Sequence, residues 1–283
     1  MLGSVSSITT ELVVTVMTED PSVPTICLDV LYRDESICVI NKPAQMLMHR
    51  SPIATSDTVF VLQCARDQFG RHVWPVHRLD RGTSGALILA FEEEAARRLG
   101  RDMMDGSIKK RYAAIVRGWL NDSALIDHPI KPTVDPYVKN QKTDPQDART
   151  IVKPLARAEL PIENDRFPST RVGLLSLELL TGRRHQIRKH MKTISHPIIG
   201  DATYGKGWLN RAMAGYFGVD RLMLHCARLQ FRHPVHARLL DVRAPLDGRM
   251  GHVVDVLGWN AAYETLSTHD WMDASLDALQ RIE

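Results

Sequence analysis

The sequence predicts an α+β fold, and three observations carry that reading. Segments with strand character are long and recur along most of the chain. Segments with helical periodicity sit between them at irregular intervals, unlike the strict alternation of βαβ units. No internal repeat or low-complexity tract points to a solenoid or an array. The 283 residues, 44% of them hydrophobic, suffice for a sizeable core in one large domain, with or without a small appendage.

Residues 1–24 are polar and aperiodic and read as a loose arm ahead of a single domain over 25–283. "LDVLYRD" and "ESICVINKP" then read as two strands with Asp34 and Glu35 at the turn. From Thr55 to Phe69 the spacing predicts a helix. Thr55, Ser56 and Asp57 offer caps, Val59, Leu62, Cys64, Ala65 and Phe69 an apolar face, and Gly70 a stop. "VWPVHRLD" reads as a strand approaching a turn, and "GALILAF" as a fully apolar, buried strand leaving it. "EEEAARRLGRDMM" begins with the acids that a helix N-terminus prefers. "KKRYAAIVRGWL" is a strand with a basic lead-in. Residues 119–148, rich in Pro, Asp and Lys, read as a long surface loop. "RTIVKPLARAEL" and "RVGLLSLELL" resume strand character, the second with its alternation blurred by burial on one or both faces. "RRHQIRKHMKTI" reads as a helix, "RLMLHCARLQF" and "RLLDVRAP" as strands. "TLSTHDWMDASLDALQRIE" looks helical, with Leu276 and Leu279 against the core.

A net charge of +3 is not that of a histone-like protein and permits nucleic-acid binding only where the cations cluster. Cys27, Cys38, Cys64 and Cys226 form no C-x-x-C pair and read as buried free thiols in a reducing compartment. The N-terminus lacks a secretory signal, and no stretch approaches the ~20 apolar residues of a membrane span, so a cytoplasmic protein is expected. The pairs His233/His236 and His185/His190 match no metal signature, and no metal site is expected.

The sharpest local pattern is "HRLDRGTSG", residues 77–85, where Asp80 stands between Arg78 and Arg81. No second carboxylate lies close in sequence, so a glycosidase-like acid pair is not evident. A lone ionised aspartate suits nucleophilic attack or the stabilisation of a cationic centre. The same residues also make an ordinary turn, because Asp, Thr and Ser bond back to nearby backbone and Gly permits sharp dihedrals. In "TGRRHQIRKHMKTISHP", Ile187, Met191 and Ile194 form an apolar stripe. Arg184, Arg188 and Lys192 share another face, broadened by Arg183, His185 and Lys189. That face is either a solvated helix surface or a grip for phosphates. The stretch has no balancing acid, and Arg188 borders the apolar stripe, from which it could reach a buried carboxylate. In "KKRYAAIVRG", cations beside Tyr112 fit a nucleic-acid site and fit equally a core tyrosine on an amphipathic strand.

Taken together, these segments resemble the RluA-type pseudouridine synthases, which isomerise uridine within RNA. "NKPAQMLMH", "HRLDRGTSG", "KKRYAAIVRG", "TGRRHQIRKHM…SHPIIGDATYG" and "RLMLHCARLQFRHP" look like that family's motifs in its order, from about Leu31 to about Leu246. The resemblance implies a mixed, mostly antiparallel central sheet with flanking helices and a catalytic cleft. It is closest to the branch that modifies uridine 65 of tRNA. Only about 30 residues precede the first matching strand, which leaves no room for the S4 RNA-binding domain that many ribosomal-RNA members carry.

The resemblance implies that Asp80 is the nucleophile that releases uracil from its glycosidic bond, after which C5 rejoins C1′. It implies that Arg188 pairs with Asp80 and orients it, and that Tyr112 stacks on the base. Thr83, Ser84 and Gly85 would shape the turn that presents Asp80. The target lies in a stem and must be flipped out at a cost of roughly a few kcal/mol. Arg78, Arg81, Lys109, Lys110, Arg111, Arg183, Arg184 and Lys189 are the candidates to hold the backbone, with Arg78 inserting near the flipped base. The isomerisation is redox-neutral, and no cofactor is implied. The expected partner is tRNA, with no membrane and no obligate protein partner. The rival readings are the same chemistry on ribosomal RNA, a non-catalytic RNA-binding protein with a relic site, and an aspartate-nucleophile hydrolase of small molecules.

Overall fold

The computed structural model describes residues 26–50, 59–133, 143–164, 166–268, 270–271 and 279–282. The arm over 1–24, the caps Thr55, Ser56 and Asp57, and Leu276 lie outside the described residues. Among the described residues eleven strands, numbered β1 to β11 in chain order with the ranges given below, form one sheet in the order β1-β2-β4-β9-β5-β8-β7-β6-β11, with β3 beside β4 and β10 beside β9. The α+β expectation holds. The pairing is antiparallel except where β4 meets β9 and where β11 meets β6.

β1 (Asp29–Arg33) and β2 (Ile37–Lys42) make the expected hairpin. Asp34 closes its turn, accepting the backbone N–H groups of Ser36 and Ile37 at 2.9 Å each. α1 runs Val61–Phe69, later than the caps suggested. Val59 and Phe60 precede it as extended chain, and Gly70 ends it in the left-handed conformation. The strand expected through "VWPVHRLD" shrinks to β3 (Trp74–Pro75): Val76 N–H still donates to the Ile88 carbonyl at 3.1 Å, but Ile88 N–H donates to His77 Nε2 at 3.1 Å instead of to backbone. β4 (Ser84–Ala90) is buried on both faces, as its unbroken apolar run implies. α2 (Glu93–Met104) opens with Glu93 and Glu94, both paired with Arg97.

β5 (Lys109–Arg117), β7 (Arg149–Leu160), β8 (Thr170–Leu179), β9 (Leu224–Arg232) and β10 (Leu239–Arg243) fall where strand character was read. Inside the stretch read as a loop, β6 (Ala124–Asp127) pairs with β7. The helix expected near the C-terminus also differs. α6 (Asn260–Thr268) ends early, and Gln280–Ile282 forms β11 along β6. Two helices were not foreseen, α4 (Gly207–Phe217) and α5 (Gly248–Val256). α3 (Gln186–Thr193) follows β8, and Gln186 Nε2 donates to the Arg149 carbonyl and to Thr150 Oγ1 at the start of β7. Among the cysteines, Cys38 and Cys226 are buried as expected, Cys64 is half-buried and Cys27 is exposed. Among the described residues no helix is long and apolar enough to cross a membrane.

Candidate active site

A cleft of about 660 Å³ opens where the turn ahead of β4 meets β5, the end of β8 and α3. Asp80, Tyr112 and Arg188 all line it, although 32 residues of chain separate the first two and 76 the last two. Asp80 sits on the turn that enters β4. The Asp80 carbonyl accepts the Thr83 N–H at 3.0 Å. From behind, the buried ammonium of Lys42 donates to the carbonyls of Pro43 (2.7 Å), Thr83 (2.9 Å) and Arg81 (3.3 Å). Burial, with Arg221 nearby, pulls Lys42 down to about 7 against the opposing pull of Asp80. Gly85 then lets β4 approach β9. Its φ is +110°, and a Cβ there would lie 2.3 Å from the Cys226 carbonyl oxygen.

Arg188 reaches the cleft from α3 and holds two carboxylates. Its Nε and Nη2 donate to Asp201 at 2.8 and 2.9 Å, and its Nη1 donates to Asp80 at 3.1 Å. Burial opposes the guanidinium's charge, but the hydrogen-bonded Asp201 and then Asp80 outweigh it, so Arg188 holds its proton more tightly than usual. The other oxygen of Asp80 faces His185 Nε2 at 3.8 Å, and His185 Nδ1 meets the Tyr204 hydroxyl at 3.0 Å. Burial lowers the His185 pKa against the opposing pull of Asp80, which favours the neutral imidazole.

The two-residue periodicity of β5 divides "KKRY" between two faces of the sheet. Lys110 and Tyr112 face the cleft. Burial, with Cys226 next to it, raises Tyr112 well above the ordinary phenol range, so its hydroxyl is a proton donor at neutral pH. Lys109 and Arg111 face the opposite side, beside Trp271, and the burial of Arg111 corrects its assignment as an RNA-binding residue. Arg111 is 1% exposed. It donates to Glu178 (2.5 Å), to the carbonyls of Leu266 (2.9 Å) and Asp270 (2.6 Å), and lies over the Trp271 ring, as Lys109 does.

The other expected cations stay on the surface. Arg78, Arg183 and Arg184 are exposed on the cleft wall. Arg81 is exposed beside the Asp80 turn and donates to the Gln45 carbonyl. Lys189 lies further along α3 and donates to the Lys131 carbonyl at 2.5 Å. The expected stripe of Arg184, Arg188 and Lys192 is broken, because α3 begins at Gln186 after His185 adopts a left-handed conformation (φ 58°). Of that stripe only Arg188 turns inward. Asp201, Tyr204 and Lys42 are site residues to which the sequence assigned no role, although all three fall inside the quoted motifs, and His185, read as part of the basic face, faces Asp80 instead. Among the described residues no cluster of three or more His, Cys, Asp or Glu could hold a metal ion. His233, read as one of a pair, faces Asp34 at 2.8 Å and stacks on His236.

Residues 36–193, more than half the chain, match the RNA pseudouridylate synthase family, and Asp80, Tyr112 and Arg188 all fall within that span. The chain belongs to the RNA pseudouridylate synthase family. Similar members include the tRNA pseudouridine synthase C of Vibrio cholerae, 41% identical over 235 residues, or 82% of this chain and 96% of that one. The tRNA pseudouridine synthase C of Salmonella typhi is 43% identical over 236 residues, 82% of this chain and 90% of that one. The solved structure of human RNA pseudouridylate synthase domain containing 1 shares the fold at 24% identity. It has a TM-score of 0.61 and covers 84% of this chain and 88% of that one. Within the family fold, the carboxylate, guanidinium and phenol come from three different elements, so the cleft exists only when the sheet and α3 are assembled.

Proposed function

We propose that this chain isomerises uridine 65 of tRNA to pseudouridine, with Asp80 as nucleophile and with the uridine flipped into the cleft. The observation that carries the reading is the hydrogen bond from Arg188 Nη1 to Asp80 Oδ2 at the cleft wall, with Tyr112 in the same cleft. The relatives named tRNA pseudouridine synthase C support tRNA as the substrate. The guanidinium is fixed by Asp201, so it can orient the Asp80 carboxylate without itself moving. The N1–C1′ bond of uridine breaks while Asp80 acts on the nucleoside, and the base turns within the cleft. C5 then bonds to C1′ as Asp80 is released, the C5 proton is lost, and N1 takes up a proton. Tyr112, protonated and buried, offers a ring face to the base and a hydroxyl that donates. The cleft keeps bulk water from the intermediate. Arg78, Arg183 and Arg184, exposed on the wall, suit the phosphates on either side of the flipped nucleotide. We place the enzyme in the cytoplasm with its substrate, as a single catalytic domain over residues 25–283.

The test uses unmodified tRNA and a ribosomal-RNA fragment, both carrying C5-tritiated uridine, with wild-type protein or Asp80→Ala. Tritium release from tRNA that the variant loses, with a carbodiimide-dependent reverse-transcription stop at uridine 65, is the expected result. Release from the ribosomal fragment alone keeps the chemistry and removes the tRNA assignment. RNA binding without release from either removes the enzymatic reading.

A further inference from the structure

We propose that Lys110 contacts the base: its ammonium receives a carbonyl oxygen of the departing uracil and holds the detached base while it turns. This rests on the uridine-isomerising reading and assigns Lys110 a task other than gripping the RNA backbone. The side chain is 8% exposed and lines the cleft on the same strand face as Tyr112, two residues away. Positions i and i+2 of a strand are about 7 Å apart, so Lys110 and Tyr112 can address one planar ring from neighbouring points. Lys110 Nζ lies 2.9 Å from Met103 Sδ and 3.8 Å from where a Cβ on Gly182 would stand, which sets it between the two lips of the cleft. A thioether is a weak acceptor for an ammonium. Among the described residues Met103 is the one hydrogen-bond partner of Lys110, and no carboxylate is paired with it. Burial accordingly lowers its pKa.

A buried cation facing a cleft with only a sulfur beside it is costly to keep, unless something anionic arrives there. The other cations are suited to different tasks. Arg188 is taken up by Asp201 and Asp80, while Arg78, Arg183 and Arg184 are exposed on the wall. The chemistry supplies the anion. As N1–C1′ breaks, the bonding electron pair leaves with uracil, and the negative charge spreads over N1, O2 and O4. Lys110 keeps its proton and donates a hydrogen bond to one of those oxygens. When C5 bonds to C1′ the pair is used up, Asp80 gives up C1′ and recovers its carboxylate, the C5 proton passes to solvent, N1 takes up a proton in its place, and Lys110 is unchanged. No oxidant or other reactant is needed. Because this charge exists only once the bond is breaking, the contact favours the transition state over the bound uridine, and its loss falls on the rate rather than on binding.

Single-turnover tritium release from C5-labelled tRNA, together with filter-binding affinity at several salt concentrations, tests the assignment in wild type, Lys110→Gln and Lys110→Arg. Lys110→Gln is expected to slow release by about 10²–10³-fold, with Kd and its salt slope unchanged, and Lys110→Arg to recover part of the rate. A full rate in Lys110→Gln overturns the proposal. So does a weakened Kd with a salt slope smaller by about 1 and a normal rate at saturation, the mark of a phosphate contact. Circular dichroism monitors folding. If Lys110→Gln fails to fold, Lys110→Met keeps the apolar stem against Met103 and carries the comparison, and a wild-type rate there overturns the proposal. A wild-type protein that releases tritium from no RNA overturns the functional reading itself, an outcome visible before any variant is compared.

Discussion

Arg188 presents its nitrogens in a fixed plane, and two carboxylates divide them. Asp201 takes Nε and Nη2 in a paired contact, which leaves Nη1 aimed at Asp80. Asp201 is 1% exposed, and burial by itself pushes its pKa up. The Arg188 hydrogen bonds and the N–H groups of Tyr204 and Thr203 outweigh that and hold it below the usual carboxylate range. Three substitutions separate the roles. Asp80→Asn is expected to abolish tritium release while circular dichroism and tRNA affinity stay near wild type. Arg188→Ala is expected to be nearly as inactive and to lose about 3–5 kcal/mol in urea unfolding, because it strands a buried carboxylate. Asp201→Asn keeps the charge at Asp80 but loosens its direction. It is expected to lower the rate by 10-fold or more while leaving tRNA affinity unchanged, and a wild-type rate would show that Asp201 serves the fold alone. That Asp80, Tyr112 and Arg188 meet in one cleft was legible because each sits at a fixed place in a recognisable motif. Asp201 was not. In sequence "GDATYG" is indistinguishable from turn chemistry, and its partnership with Arg188 across 13 residues is made by the fold.

The turn between β3 and β4 depends on how closely two strands can approach. Ser84 and Gly85 pair in parallel with His225 and Cys226, the whole of the β4–β9 register. A Cβ at Gly85 would collide with the backbone of Cys226, which cannot yield as a flexible side chain can. Gly85→Ala is therefore expected to destabilise the protein by about 3 kcal/mol or more, from overpacking and a disfavoured φ together. Gly100, inside α2, has open space where its Cβ would be. Gly100→Ala is expected to stabilise by up to about 1 kcal/mol in the same urea titration. Opposite signs at two glycines tie the first effect to the strand approach. Among the elements, those that carry their own signal were read correctly: β4 by its apolar run, α2 by its acidic first turn, β1–β2 by Asp34. Those that depend on a distant partner were not. β6 is four residues among polar neighbours, held by β7 on one side and β11 on the other. β11 is three residues long and forms only because β6 offers an edge. α4 begins with a glycine and contains another, and both weaken its helical pattern.

Across the whole molecule, the sheet divides at β9. One edge of that strand pairs with β5 along most of its length. The other is shared by β10 and by the two-residue contact with β4. Asp80 belongs to the β4 side of this seam, and Tyr112 and Arg188 to the other, so the site is only as well aligned as the seam. His225 lies on it, fully buried. Its Nδ1 faces the Ser84 hydroxyl at 2.8 Å, and its Nε2 meets the Ala244 carbonyl at 3.1 Å. Arg221 donates to Ser84 Oγ at 3.0 Å, so the hydroxyl is free to donate to Nδ1, and the imidazole is satisfied in its neutral form with the proton on Nε2. Burial, opposed by the Ala244 hydrogen bond and aided by Arg221, pulls its pKa from 6.5 to about 4. Between those two values the unfolded chain binds a proton that the folded chain refuses. The stability tied to neutral His225 is thus complete above about pH 6.5 and is lost as pH falls towards 4, with roughly 2 kcal/mol gone by pH 5. His225→Gln removes the titrating group, so its urea midpoint should change less between pH 7 and pH 5 than that of wild type, whatever its absolute stability. Equal shifts in the two proteins would place the acid sensitivity elsewhere. Because the β4–β9 contact is only two residue pairs long, the wild-type tritium-release rate is expected to fall over the same interval, before the sheet as a whole unfolds.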